Sequence, residues 1–215
     1  MSEDNDSYDS YGAITSKNRE HMVKEIAKTK PEKITLLKSV VQGLEDKGVR
    51  YWLESGSLLG ASRNGQMVPH DFDLDLAVFG EDDLNAAYEV LEALKPKGYK
   101  VRKGHHNPKE VPICKKCEIY KEGYECIDPK CVTMDIIMYE YADEEKVYCK
   151  TEYYGFGLEK NRYKYEWIFP LGKVKFEGLE LPCPNNIEAY LTAQYSYLGP
   201  DCYYNFTTNK YCKRT

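Results

Sequence analysis

The chain contains no apolar run near the ~20 residues that a membrane helix needs, which excludes a helical span. It has no excess of positive charge either: 30 Lys and Arg stand against 35 Asp and Glu, a formal net charge of -5. Broad binding to nucleic acid or to an anionic membrane surface wants basic patches, so both are excluded as general functions. Internal repeats and low-complexity tracts are absent as well. The opening residues Met1-Ser2-Glu3-Asp4-Asn5-Asp6-Ser7 are acidic and polar, and they lack the basic and apolar regions of a secretory signal. The expected location is therefore cytoplasmic as written, although a luminal or secreted domain trimmed of its leader would read the same way. Tryptophan is scarce, with 2 copies, whereas tyrosine reaches 20 and suits strands, half-buried surfaces and pocket walls. At 215 residues the chain fits one domain with a sizeable core.

Residues 1–15 carry few large aliphatic side chains and are expected to be disordered, which leaves 16–215 as a single domain. A short polar helix is predicted over 17–29. A second opens at Pro31, with Ile34, Leu37, Val41 and Leu44 at helical spacing before Gly48 stops it. Val49 to Leu53 reads as a strand that delivers the chain into Gly56-Ser57, and Leu58 to Ser62 as a helical turn. A strand follows over about Asp73–Phe79, then an amphipathic helix over Glu81–Lys95 and a strand from Tyr99 to Arg102. Val132 to Tyr139 is the most apolar strand of all. Lys173 to Leu181 alternates around Glu177-Gly178 as a hairpin, and Pro184-Asn185-Asn186 caps a helix from Ile187 to about Tyr197. Helices interleaved with strands give an α/β (α+β) domain built on a mixed sheet flanked by helices.

The chemistry concentrates in one stretch. The turn at Gly56-Ser57 is followed by Asp71, Asp73 and Asp75 at alternate positions, with Phe72, Leu74 and Leu76 between them. Alternation along a strand points i and i+2 the same way. Three carboxylates on one face repel one another unless a cation lies between them, and a divalent ion is the usual solution. An ordinary half-solvated strand shows the same alternation, but the Gly-Ser turn upstream favours a site, because glycine lets a backbone approach a phosphate closely. Asp135 interrupts the apolar strand Val132–Tyr139 and needs a cation or hydrogen-bond partner there; a neighbouring Asp73–Asp75 strand would make it a third ligand. Arg63 could grip phosphate oxygens. Lys173 and Lys175 could face the same cleft or simply a solvated one, and His70, His105 and His106 carry no specific signal.

The stretch from Tyr51 through Gly56-Ser57-Leu58-Leu59-Gly60-Ala61-Ser62-Arg63 to Pro69-His70-Asp71-Phe72-Asp73-Leu74-Asp75 resembles the signature of the LicD family. That family includes phosphorylcholine transferases, fukutin and fukutin-related protein. Thr133-Met134-Asp135-Ile136-Ile137 resembles its later acidic strand, and Ile168 to Leu179 with Pro184-Asn185-Asn186 its C-terminal segment. His70 stands where the family usually has Trp. The resemblance implies a nucleotidyltransferase-like fold, with Asp73 and Asp75 as principal ligands to Mg²⁺ or Mn²⁺ and Asp135 as the third acid. It implies transfer of a phospho-alcohol (phosphocholine, ribitol phosphate or sugar phosphate) from a CDP- or GDP-linked donor to a glycan or other hydroxyl acceptor, releasing a nucleoside monophosphate. Gly56, Ser57 and Arg63 would then hold the nucleotide's phosphates, and either Asp71 or Asp135 could take the acceptor's proton. A D-x-D glycosyltransferase and a non-enzymatic, zinc-stabilised binding module are the alternatives.

The zinc expectation comes from four of the eight cysteines. Cys114, Cys117, Cys126 and Cys131 fall in a polar insertion, residues 104–131, with the paired spacing of a four-thiolate structural zinc site. Cys149, Cys183, Cys202 and Cys212 lack such spacing and are expected to be thiols, with Cys202 and Cys212 able to pair in an oxidising compartment.

Overall fold

Two apolar segments lie side by side at the centre of the sheet, and the other elements are arranged around them. The computed structural model describes residues 19–103, 116–121, 131–150, 162–199, 201–205 and 210–213. Helix α1 (Arg19–Asp46) leads into β1 (Tyr51–Leu53), α2 (Ser55–Asn64), β2 (Asp73–Phe79) and α3 (Glu81–Glu92). Strands β3 (Tyr99–Lys103), β4 (Lys116–Lys121) and β5 (Thr133–Tyr141) follow, then β6 (Tyr148–Lys150), β7 (Arg162–Lys164) and α4 (Tyr165–Ile168). The chain continues through β8 (Gly172–Phe176), β9 (Leu179–Cys183), α5 (Ile187–Tyr195), β10 (Cys202–Asn205) and β11 (Lys210–Lys213).

The main sheet runs β1-β2-β5-β4-β3, with β6 beside β5 and β7 beside β6. Strands β2 and β5 pair in parallel and the other pairs are antiparallel, so the mixed α+β sheet read from the sequence is what forms. A central parallel pair is covered on both faces, and its strands read as continuous apolar runs. Every residue of β2 after Asp73 is buried, as are the first seven of β5. Asp75 and Asp135 are thus set among Leu74, Leu76, Met134 and Ile136, all of which are buried.

Two expectations are corrected here. The predicted pair of N-terminal helices is one helix of 28 residues with Pro31 inside it. Proline forfeits a helix hydrogen bond and crowds the preceding turn. The buried stripe Ile26, Lys33, Leu36, Leu37, Val40, Val41 and Leu44 nevertheless passes straight through, and its packing outweighs that cost. Gly43 lets α1 approach α3 at Val90, where a Cβ would meet the valine methyls. The second correction concerns the insertion at 104–131. Its middle is a sheet strand, β4, inserted between β3 and β5 with Ile119 fully buried. The expected disordered segment 1–15 lies outside the described residues.

The hairpin β8–β9 turns at Glu177 and Gly178, with φ of 50° and 81°, the left-handed pair of a type I′ turn. Its tip is stapled to the loop after α2. The Glu177 N–H donates to the Gly65 carbonyl at 2.8 Å, and its carboxylate accepts from the Met67 N–H at 2.6 Å. The same carboxylate pairs with Lys30 of α1 at 2.7 Å. Lys173 pairs with Glu180 on the exposed face of the hairpin, so that lysine belongs to a solvated strand face. Glu177→Ala should cost roughly 2–3 kcal/mol and lower the thermal midpoint by about 4–12 °C. A melting curve that superimposes on wild type would show that the hairpin docks by other means.

Candidate active site

The chain leaves β1 and enters α2 within one residue. Ser55 takes φ 44°, a left-handed conformation that strains a residue with a side chain. Neighbouring hydrogen bonds hold it. The Ser55 hydroxyl accepts from Gln194 Nε2 of α5 at 2.9 Å. Beside it, Glu54 is fully buried and accepts from Tyr190 OH at 2.5 Å, Tyr139 OH at 2.9 Å, Trp52 Nε1 at 3.2 Å and Gln194 Nε2 at 3.2 Å. Burial holds the carboxyl of Glu54 above its ordinary value, and these donors, Tyr190 first, offset part of that rise. A buried carboxylate with several directed donors is a rigid junction rather than a surface accident. It joins β1, β5 and α5 at the mouth of α2.

The first turn of α2 is then fixed to the acidic strand. The Ser57 hydroxyl accepts from the Asp75 N–H at 2.9 Å, and the Glu54 N–H donates to the Asp75 carbonyl at 3.1 Å, one residue past the end of the β1 pairing. Gly56 carries a different constraint: a Cβ there would overlap the Asp71 carboxylate. Glycine at 56 therefore permits the close approach of Asp71. The Gly-Ser pair does not form a turn ahead of the helix, as the sequence suggested, but belongs to the helix itself.

The acids converge. Asp71 lies just before β2 and Asp73 and Asp75 within it, and one carboxylate oxygen from each falls within 4.8 Å of the other two. Asp71 and Asp73 are half-buried and Asp75 is buried. Asp135 is aligned with Asp75 across the parallel β2–β5 pair and is 4 % exposed. In a parallel ladder, aligned residues share a face, so a fourth carboxylate adjoins the other three. Glu118 of β4 occupies the next register position beyond Asp135. Burial pushes the Asp75 carboxyl well up, and the charges of Asp73, Asp71, Asp135 and Glu54 push it further. Oxygen-only ligands at this density suit Mg²⁺ or Mn²⁺. The residues present fit such an ion, with Asp71, Asp73 and Asp75 as the gathered set and Asp135 alongside.

Other residues singled out from the sequence fare differently. Arg63 lies in the last turn of α2, where its Nε and one Nη donate to the Leu198 carbonyl at 3.1 and 2.8 Å and to the Gly199 carbonyl at 3.1 Å. These bonds pin the segment after α5. Cys114 and Cys126 lie outside the described residues, as do His105 and His106. Cys117 is in register with Ile136, near one end of the β4–β5 pairing, and Cys131 precedes the other end, beyond Thr133. Cys131 is a buried thiol. Cys149 and Cys183 are buried thiols, and burial pushes Cys149 up to about 12. Cys202 and Cys212 lie on the paired strands β10 and β11, with Cys212 opposite Tyr203.

Two residues were missed. Glu54 gave little signal beyond its place next to the Gly-Ser pair. Lys33 is completely buried, and its Nζ donates to Thr29 Oγ1 at 2.6 Å. Burial lowers its ammonium to about 8, opposed by the nearby Asp73, Cys131 and Asp71. The helical phase of Leu37, Val40 and Leu44, extended backwards by one turn, falls on position 33. That was the available signal.

A sheet of this kind, carrying clustered acids beside a helix start that is anchored to them, defines a nucleotidyltransferase-type domain. The chain belongs to the family described as LicD/FKTN/FKRP, nucleotidyltransferase domain, which it matches over residues 48–186. It is 30% identical over 161 residues to an uncharacterized protein of Rickettsia typhi, covering 74% of this chain and 44% of that protein. It is also 60% identical over 43 residues to the ribitol 5-phosphate transferase FKRP of human and mouse, a match covering 20% of this chain and 9% of theirs. The chain thus spans less than half the length of these relatives. The solved structure of ANT(2")-Ia with adenylyl-2"-tobramycin covers 72% of this chain and 70% of its own, at TM-score 0.44 and 16% identity, a likeness too loose to argue from. No helix among the described residues is long and apolar enough to cross a membrane.

Two outcomes follow from the crowded carboxylates. A carboxyl raised on folding contributes stability at low pH and loses it as pH rises through the folded value. Metal-free protein should therefore melt at a lower temperature near pH 8 than near pH 5.5. Asp75→Asn should flatten that dependence and raise the midpoint near pH 8 by several degrees; a lowered midpoint there would contradict the repulsion. Gly56→Ala should displace Asp71 and weaken Mn²⁺ binding by about 10–100-fold, measured by calorimetric titration, with the circular dichroism spectrum unchanged. Wild-type affinity in that variant would mean that Asp71 does not take part.

Proposed function

We propose that this domain is a metal-dependent phosphotransferase that moves a phospho-alcohol from a CDP- or GDP-linked donor to a hydroxyl acceptor, releasing the nucleoside monophosphate. The observation that carries this reading is the gathering of Asp71, Asp73 and Asp75 with Asp135 aligned beside them, within a chain of the LicD/FKTN/FKRP family. The named activity of FKRP makes ribitol phosphate the first headgroup to test, and phosphocholine and sugar phosphates the next.

Asp73 and Asp75 would hold Mg²⁺ or Mn²⁺, with Asp71 and Asp135 completing the donor set. Bound there, the ion would supply charge stabilisation for a diphosphate that three or four carboxylates would otherwise repel. The chain's own groups do the rest. The first turn of α2, tied to Asp75 through Ser57 and set on edge by Ser55 and Glu54, presents backbone N–H groups beside the acids. Such groups at a helix start favour phosphate oxygens. The acceptor oxygen forms a bond to the phosphorus carrying the alcohol, while the bridging P–O bond to the nucleoside monophosphate breaks. The acceptor's proton passes to a carboxylate, and half-buried Asp71 is the better placed of the two candidates because Asp135 is nearly sealed from solvent. In-line displacement of this kind is mostly positioning and charge compensation.

The test is a panel of CDP-ribitol, CDP-choline, other CDP-alcohols and GDP-sugars, incubated with the protein and Mn²⁺ or Mg²⁺ and assayed for released nucleotide. CMP or GMP should appear with one donor, and Asp73→Ala and Asp75→Ala should each lower the rate at least ~10²-fold without changing the fold. Release of nucleoside diphosphate would instead identify a glycosyltransferase. Turnover surviving both substitutions would remove the acids from the mechanism.

A further inference from the structure

Glu177 stands where its turn would be better served by another residue. The first position of a type I′ turn takes a left-handed backbone, φ 50° here, which suits asparagine or glycine and strains a glutamate. Its side chain is only 8 % exposed. The carboxylate oxygen Oε1 accepts from the Met67 N–H at 2.6 Å and from Lys30 Nζ at 2.7 Å, and the Glu177 N–H donates to the Gly65 carbonyl at 2.8 Å. Met67 belongs to the loop that carries the chain from α2 to Asp71. The Asp71 N–H closes that loop by donating to the Val68 carbonyl at 2.9 Å. The same loop lies against α2. Gly56 and Gly60 are four residues apart and share one face of the helix. A Cβ at Gly60 would overlap the Gln66 carbonyl, as one at Gly56 would overlap the Asp71 carboxylate. A glycine face of α2 and the Glu177 carboxylate thus both hold the loop that ends in Asp71.

We infer that Glu177 is a positioning residue of the acidic cluster: through its hydrogen bond to Met67 it sets the loop that presents the Asp71 carboxylate to the divalent ion. The inference rests on the metal-dependent reading above. Asp73 and Asp75 are fixed by the β2–β5 ladder, whose pairing begins at Asp73. Asp71 precedes that ladder, so its place depends on the loop before it. Metal ligands keep their geometry through the groups that support them, and losing one such support costs about 10–100-fold in affinity or activity. The support here comes from a residue 110 positions further along the chain than the amide it holds. The Lys30 ion pair is separable from this role. It joins the hairpin to α1, and its removal leaves a carboxylate still able to accept from Met67.

The test uses the full chain, with Mn²⁺ affinity read from the electron paramagnetic resonance of unbound ion and the fold followed by thermal melting. Glu177→Ala should weaken Mn²⁺ binding about tenfold. Glu177→Gln, whose amide oxygen can still accept from Met67, should stay within about threefold of wild type. Lys30→Met should lower the melting midpoint by several degrees yet leave Mn²⁺ affinity within about twofold. Asp71→Asn should weaken binding by itself, and adding Glu177→Ala to it should change nothing further, because effects that pass through one group do not add. Four results would each overturn the inference and leave the metal site standing: wild-type affinity in Glu177→Ala, an equal loss in Lys30→Met, no rescue by glutamine, or full additivity in the double variant. Wild-type affinity in Asp71→Asn would overturn it too, by removing Asp71 from the ligand set. If Glu177→Ala does not fold, Gly60→Ala takes its place, since it presses on the Gln66 carbonyl of the same loop. About tenfold weaker Mn²⁺ binding is then expected, and unchanged affinity overturns the inference. Failure of both variants to fold would make the staple purely structural and overturn it as well. Wild-type protein that binds no Mn²⁺ would overturn the metal reading itself, and this one with it.

Discussion

Like charge held inside a protein is the constraint on which the rest of this structure depends. Strands β2 and β5 are apolar because they form a parallel pair covered on both faces, yet that pair carries Asp75 and Asp135 in register, with Asp73 and Asp71 adjoining. Nothing about packing asks for these acids. A leucine or valine at 75 or 135 would suit the surroundings better, and burial, with the charges of Asp73, Asp71, Asp135 and Glu54 behind it, holds the Asp75 carboxyl well above its ordinary range. A fold that keeps such a cluster gives up stability for it, as sites of chemistry do. In the function proposed above, a divalent ion is the charge that offsets these acids.

A second buried carboxylate shows the contrast. Glu54 is sealed in as completely as Asp75, but tyrosine, tryptophan and glutamine donors surround it. It therefore acts as a joint. Through Tyr190 and Gln194 it draws α5 against the start of α2, and through Trp52 and Tyr139 it ties both to the sheet. Trp52, Tyr139, Tyr163 and Tyr190 also touch one another edge-on or tilted, with ring centroids 4.7–6.3 Å apart. The segment from the hairpin through α5 thus supports the site from behind, and Glu177 and Arg63 fasten it at two further places. Strain at Ser55 is tolerated because so many contacts fix the residues on either side of it.

Much of this was legible in the sequence where a local rule decides the outcome. The alternation of Asp73, Asp75 and their apolar neighbours marked β2 to the residue, Glu177-Gly178 marked the hairpin turn, and Asn186 caps α5 with its side chain as expected. Other features depend on contacts far apart in the chain. Pro31 reads as a helix start, but the buried stripe from Ile26 to Leu44 carries the helix through it. The segment around Ile119 reads as part of a polar insertion, because this is the one aliphatic residue in Lys116-Cys117-Glu118-Ile119-Tyr120-Lys121 and gives a weak strand signal. The bonds from Arg63 to the carbonyls of 198 and 199, more than a hundred residues later, leave no local trace either. Lys33 illustrates the same point in reverse. A lysine is read as solvent-facing by default, yet this one is completely buried on the packed stripe of α1.

The central claim is that a divalent ion occupies the carboxylate cluster at the N-terminal end of β2. The most direct measurement is an anomalous difference map from crystals grown with Mn²⁺ and CMP or GMP. The account predicts one strong peak coordinated by oxygens of Asp73 and Asp75, with Asp71 or Asp135 in contact and the nucleotide's phosphate on the far side of the ion. Manganese bound elsewhere, or a nucleotide seated away from these acids, would contradict it.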